Sequence, residues 1–196
     1  DAFPKRDVAK AKSLLSEQGF SESNKLSLTL WYTPTHYGNT EADASAVIKA
    51  SLEETGVVSV EVKSSEWGDY TKSMRAGQFG IFLLGWFPDF VDPDNFLAPW
   101  LVESPEGLGT FLNKATGTVD KQFYTDFQKI LGDAKKTADQ NRRTGFYKQA
   151  QQKLADSAIL VPLWQNLAQS YVIGQKNVKG ITLDATTIFR TYLLSK

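Results

Sequence analysis

Three strand-like runs alternate with helical stripes through the first ninety residues, and that alternation leaves the chain very few architectures. Leu26-Ser-Leu-Thr-Leu-Trp-Tyr32 is apolar at every second position, the pattern of a half-buried strand. Val58, Val60 and Val62 repeat that period. Phe79 to Trp86 is a continuous apolar run of strand length, the kind buried on both faces. The intervening segments read as helices. Asp7 is placed to cap one whose apolar positions are Val8, Ala11, Leu14 and Leu15, with Gly19 stopping it. Ala44, Val47, Ile48 and Leu52 make a stripe over Glu41 to Thr55, ended by Gly56. Ser65 is the expected cap of a shorter helix carrying Trp67, Tyr70 and Met74, ended by Gly77. Helix and strand in strict turn imply βαβ units, right-handed crossovers and an α/β fold with a largely parallel sheet.

The second half is less regular. Residues 87–119 carry Pro88, Pro93, Pro99 and Pro105, and a connection that long is either functional or holds short elements of its own. Phe123, Phe127, Ile130 and Leu131 then mark one helix. Asp139 is placed to cap another, with Phe146, Ala150 and Leu154 facing inward. Ile159–Trp164, Gln169–Ile173 and Phe189–Leu194 read as strands, so the C-terminal tail is expected to be β-rich.

Composition narrows the chemistry. Lys plus Arg and Asp plus Glu are each 22 of 196 residues, and a neutral chain lacks the long-range attraction for phosphate that nucleic-acid binding needs. No cysteine is present, so disulfides, thiolate metal sites and cysteine nucleophiles are excluded. The single histidine, His36, excludes a multi-histidine metal centre and argues against a Ser-His-Asp triad. The longest apolar stretch, 79–87, holds two glycines and is too short to cross a bilayer. With Asp1 first and no basic-then-apolar leader, the expectation is a mature or excised piece.

One segment gathers the groups that carry chemistry: Gly85-Trp-Phe-Pro-Asp-Phe-Val-Asp-Pro-Asp-Asn-Phe96. It follows the third strand, and open α/β sheets bind ligands beyond the carboxyl ends of their strands. Asp89 set among Trp86, Phe87 and Phe90 would lose water, which strengthens its hold on a cation, and the rings offer flat faces to an ammonium. Other readings stand beside this one. Asp92, Asp94 and Asn95 are turn formers and caps before they are ligands. Three aspartates hint at calcium, but the glycine and bidentate glutamate of an EF-hand loop are missing. Asp89 with Glu66 or Glu103 has the makings of a glycosidase acid–base pair. His36 reads first as a solvated loop residue, Trp67 and Tyr70 as core, and Arg142 and Arg143 as a solvated helix start. Trp31 and Trp164, at strand ends, fit core or cleft equally.

Four blocks in order resemble one family. They are Ala9-Lys-Ala-Lys with Leu14-Leu15 and Gly19; Trp67-Gly-Asp-Tyr70; Gly85-Trp86 through Asp89 to Asp92-Pro93 and Asn95-Phe96; and Arg143, Tyr147, Ala150, Leu154 and Val161-Pro162. Together they resemble the C-terminal part of the di- and oligopeptide-binding proteins of ABC importers. The resemblance implies a periplasmic-binding-protein-like (type II) lobe over residues 1–166, its mostly parallel sheet flanked by helices. It also implies a tail, 167–196, that returns to an N-terminal lobe absent from this chain. It implies a receptor, not an enzyme, with no catalytic residue, metal or cofactor. In such receptors the aspartate at the position of Asp89 pairs with the ligand's α-amino group, Trp86 and Phe87 lie beside it, and Trp164 and Asn166 run along the cleft. His36 and Tyr37 occupy the loop where dipeptide receptors often carry an arginine, so the ligand's far end is open. Implied partners are a peptide or other small solute, the importer's membrane subunits and the N-terminal lobe; the implied location is extracytoplasmic, with or without a lipid anchor. The alternative is a carbohydrate-active enzyme or an oligosaccharide-binding module using the same rings and carboxylates.

Overall fold

A computed structural model describes residues 2–102, 121–165, 174–182 and 190–196. The chain divides into two compact units, Asp1–Gly85 with Leu101–Gln128, and Trp86–Trp100 with Lys129–Lys196.

In the first unit the expected alternation is realised as α1 (Val8–Glu17), β1 (Leu26–Tyr32), α2 (Glu41–Glu53), β2 (Val58–Ser64), α3 (Trp67–Arg75) and β3 (Ile81–Phe82). The strands form a parallel sheet in the order β2-β1-β3. Leu26 to Tyr32 pair along their whole length with Val58 to Ser64. Asp7 caps α1 by accepting the Lys10 amide at 2.9 Å. Gly56 follows α2 at φ +76°, a conformation that costs a glycine little, and so stops the helix.

The period-two pattern sorts the strands' side chains. Leu30, Val57, Val58 and Val60 are buried together, with Leu26, Leu28, Ile48, Leu52, Ile81 and Leu83 packed on them. On the other side Tyr70, Met74 and Phe79 form a second buried cluster with Trp31, Trp67, Phe82 and Leu84. Phe79 to Leu84 therefore does send apolar groups both ways, as its composition predicts. Only Ile81 and Phe82 pair as strand, however, with Leu30 and Trp31 of β1. Three details differ from expectation. Leu14 and Val47 are exposed, since the inward sides of their helices run through the half-buried Ala11 and Leu15 and through the buried Ser45 and half-buried Ile48. The cap position of α3 is Glu66, not Ser65, whose amide instead bonds the carbonyl of Tyr32.

The second unit contains α4 (Pro93–Leu101), a helix inside the proline-rich connection that periodicity did not place, and α6 (Gln140–Ser157). Pro93 starts α4 where its missing N–H has no cost, although Pro99 lies within it. Between these, α5 (Lys121–Lys136) contributes Tyr124 and Phe127 to the first unit's buried set and Leu131 and Ala134 to the second's. Asp139 caps α6 through the Arg142 amide at 2.9 Å. Tyr147, Ala150 and Leu154 are its buried face.

The tail departs from expectation. Ile159 to Trp164 form no strand, and Thr191–Leu193 is a short 3-10 turn where a strand is predicted. Among the described residues, its β structure is the antiparallel bridge Lys179–Ser195. A β-branched run becomes a strand only where another strand offers it a ladder, and the described tail offers that one bridge. The segment Gln169–Ile173 lies outside the described residues.

Candidate functional site

The loops that leave β1 and β2, and the chain after β3, bring several of the expected residues together in the first unit. His36 stacks on Trp67 with ring centroids 3.6 Å apart and planes 4° from parallel. Tyr37 stands edge-on to both, at 4.6 Å and 5.7 Å. Its hydroxyl donates to the carbonyl of Gly85 at 3.2 Å. This approach explains the glycine: a Cβ there would meet the Tyr37 ring at 2.9 Å. Behind these rings Trp31 stacks on Phe79 at 4.7 Å, and the buried Tyr70 hydroxyl donates to Leu83 O at 2.6 Å. Burial pushes the phenol pKa values of both Tyr37 and Tyr70 upward. Tyr70 is core, as expected. Trp67 is half-buried and carries His36 on its face, so the lone histidine is exposed but not simply solvated.

The second unit holds the Trp86–Phe96 segment, and Asn95 organises it. Asn95 is buried; its side-chain oxygen accepts the indole N–H of Trp86 at 3.1 Å and the backbone amide of Asp89 at 2.9 Å. Its amide nitrogen lies 3.5 Å from Asp89 Oδ2. Asp92 accepts the Asp94 amide at 2.9 Å, so these residues act as the caps and turn formers their types predict. Asp92 is in turn held by Arg143, whose Nη2 reaches both carboxylate oxygens at 2.7 and 2.8 Å and donates to Tyr147 Oη at 2.8 Å. The Arg143 guanidinium holds the Asp92 carboxyl below the usual carboxylate range, against the opposing effect of partial burial. Lys135 Nζ lies 3.1 Å from Asp94 Oδ2. Trp86, half-buried, meets Trp100 edge-on at 6.1 Å.

Two expectations are corrected here. Arg143 is not a solvated helix start but the partner of a carboxylate 51 residues away. Arg143 and Tyr147 sit four residues apart on one helix face, and that spacing is the signal that could have found them. The second correction concerns shielding. Asp89 is exposed, and so are Phe87 at 48% and Phe90 at 51%. Rings adjacent in sequence enclose a carboxylate only if the turn folds them over it, and this turn buries Pro88 and Asn95 instead. Among the described residues no lysine or arginine forms an ion pair with Asp89. Trp164 is 55% exposed, beyond the end of α6. Asn166 and Glu103 lie outside the described residues. No group of three His, Asp or Glu among the described residues is arranged to hold a metal, and no described helix is long and apolar enough to cross a membrane.

Comparison with known proteins gives a consistent picture. The family model for "Bacterial extracellular solute-binding proteins, family 5 Middle" matches residues 1–107. A dipeptide-binding protein of Pseudomonas aeruginosa is 32% identical over 180 residues, 90% of this chain and 31% of that protein. Among solved structures, the periplasmic binding protein DppA from Helicobacter pylori, in complex with the peptide STSA, is 30% identical. It covers 89% of this chain and 31% of its own, with a TM-score of 0.60. The dipeptide-binding protein from Pseudoalteromonas sp. SM9913, in complex with Met-Leu, shares the fold over 100% of this chain and 37% of its own. Its identity is 24% and its TM-score 0.75. The chain thus spans about a third of the length of the relatives it matches.

Proposed function

Because the chain belongs to family 5 of the bacterial extracellular solute-binding proteins, we propose that it forms the C-terminal ligand-binding part of a peptide receptor serving an ABC importer. Residues 1–166 are the lobe that meets the ligand, and 167–196 return to an N-terminal lobe. The receptor works outside the cytoplasm and passes its solute to the importer's membrane subunits. It binds and releases; it does no chemistry on its ligand.

The observation that carries the reading is the state of Asp89. It follows the last strand of a parallel sheet, its backbone amide is fixed by Asn95, and no cation of the described residues neutralises it. A carboxylate so held is a ready anchor for the α-amino group of a peptide, through a charge-assisted hydrogen bond. The surface that would cover it on ligand binding belongs to the rest of the receptor, so the water-excluding environment forms only when the two parts close. Trp86 and Phe87 flank the amino terminus. Within the first unit, the His36–Trp67 stack and Tyr37 are a separate set of flat apolar faces. We assign Trp164 and Asn166 to contacts along the extended ligand.

The test is calorimetry on the complete receptor with a dipeptide. Asp89→Asn is expected to weaken binding at least about a hundredfold, as loss of one partner from an enclosed ion pair does. Unchanged affinity removes Asp89 from the site. Failure of the wild-type receptor to bind any di- or tripeptide removes the peptide reading altogether.

A further inference from the structure

We propose that Asn95 is the positioning residue of this site: one buried amide that sets the ring and the acid together, and so decides how well the receptor tells a free α-amino group from a blocked one. The inference rests on the reading of Asp89 as anchor. It goes beyond it by naming the residue that aims the carboxylate.

The geometry admits one orientation of the Asn95 amide. Trp86 Nε1 and the Asp89 backbone nitrogen are donors only, at 3.1 and 2.9 Å, so the atom facing both must be the oxygen. The NH2 group then faces Asp89 Oδ2, an acceptor, at 3.5 Å. Both lone pairs of the Asn95 oxygen are thereby used. The oxygen of one planar group thus holds the Asp89 backbone, and its NH2 faces the Asp89 carboxylate at the long end of hydrogen-bonding distance.

Other residue types cannot reproduce this. Aspartate would set a second carboxylate against Asp89. Leucine, of similar size, would strand two donors. Glutamine would push the amide one bond too far. The grip is itself rigid. Asn95 lies in the first turn of α4, its amide bonded to the carbonyl of Asp92 at 3.0 Å. Asp92 is fixed in turn by Arg143 and Tyr147 on α6. The Trp86 indole is tied to the same oxygen, so ring and acid share one support.

The experiment compares a dipeptide with its N-acetylated form on the complete receptor, wild type and Asn95→Ala, by calorimetry. The wild type is expected to prefer the free amine by about a hundredfold or more. In Asn95→Ala that preference is expected to shrink at least about tenfold, while affinity for the acetylated peptide stays within about threefold. A merely structural role would weaken both peptides alike, and that result overturns the inference while leaving the receptor reading intact. A wild type that binds both peptides equally overturns the inference together with the anchor. A wild type that binds neither overturns the receptor reading as well. Asn95→Ser keeps a hydroxyl too short to reach Asp89 and is expected to lose the same discrimination. It serves as the second variant if alanine does not fold, and retained discrimination in it refutes the role.

Discussion

Asp92 and Asp89 stand three residues apart on one turn and have opposite fates. Asp92 is held by Arg143, with Tyr147 and the Asp94 amide completing its shell. Asp89 keeps its carboxylate exposed beside Asn95. The difference follows from what each faces: α6 brings a guanidinium to the first, whereas among the described residues the second meets the Asn95 amide. The Asp92 carboxyl is held below its unfolded value by Arg143, so its contribution to stability is complete above the unfolded pKa of about 3.9. That contribution is lost as pH falls through the lower, folded value. Asp92→Asn is therefore expected to be less stable than the wild type at pH 7, with the gap narrowing below about pH 4. Urea denaturation across that range checks it; a gap independent of pH would mean the pair contributes nothing through charge.

Among the elements, α2 shows how local pattern and packing divide the work. Its stripe of Ala44, Val47, Ile48 and Leu52 is legible in the sequence, and Ile48 and Leu52 do pack on the β1–β2 core. Val47 is 68% exposed, because Ser45 occupies the buried face in its stead. The expected outcome is that Ile48→Ala costs about 1–2 kcal/mol, the price of a partly buried cavity. Val47→Ala should change stability by less than about 0.5 kcal/mol. Equal losses in a chemical melt would show that the buried face of α2 runs through position 47. The same division appears in β3. Its apolar character was plain, yet its ladder is two residues long, since ladder length depends on a neighbour's register and not on the strand's own composition.

For the molecule as a whole, the share of its relatives that the chain spans decides what it can do alone. It covers about a third of the proteins it matches. The isolated chain is accordingly expected to bind a dipeptide at least about a hundredfold more weakly than the complete receptor, because an exposed carboxylate in water gains little from an ammonium. Equal affinity, measured by titration calorimetry, would mean that these residues hold the entire site. The limits of legibility follow the same line. The order and type of the first six elements, the caps at Asp7 and Asp139 and the helix stop at Gly56 were determined by the sequence itself, because each depends on side chains within a few positions along the chain. The Arg143–Asp92 pair, the triple role of Asn95 and the exposure of Asp89 were decided only by the tertiary structure. Each depends on which surface packing brings opposite a side chain, and local periodicity carries no information about that.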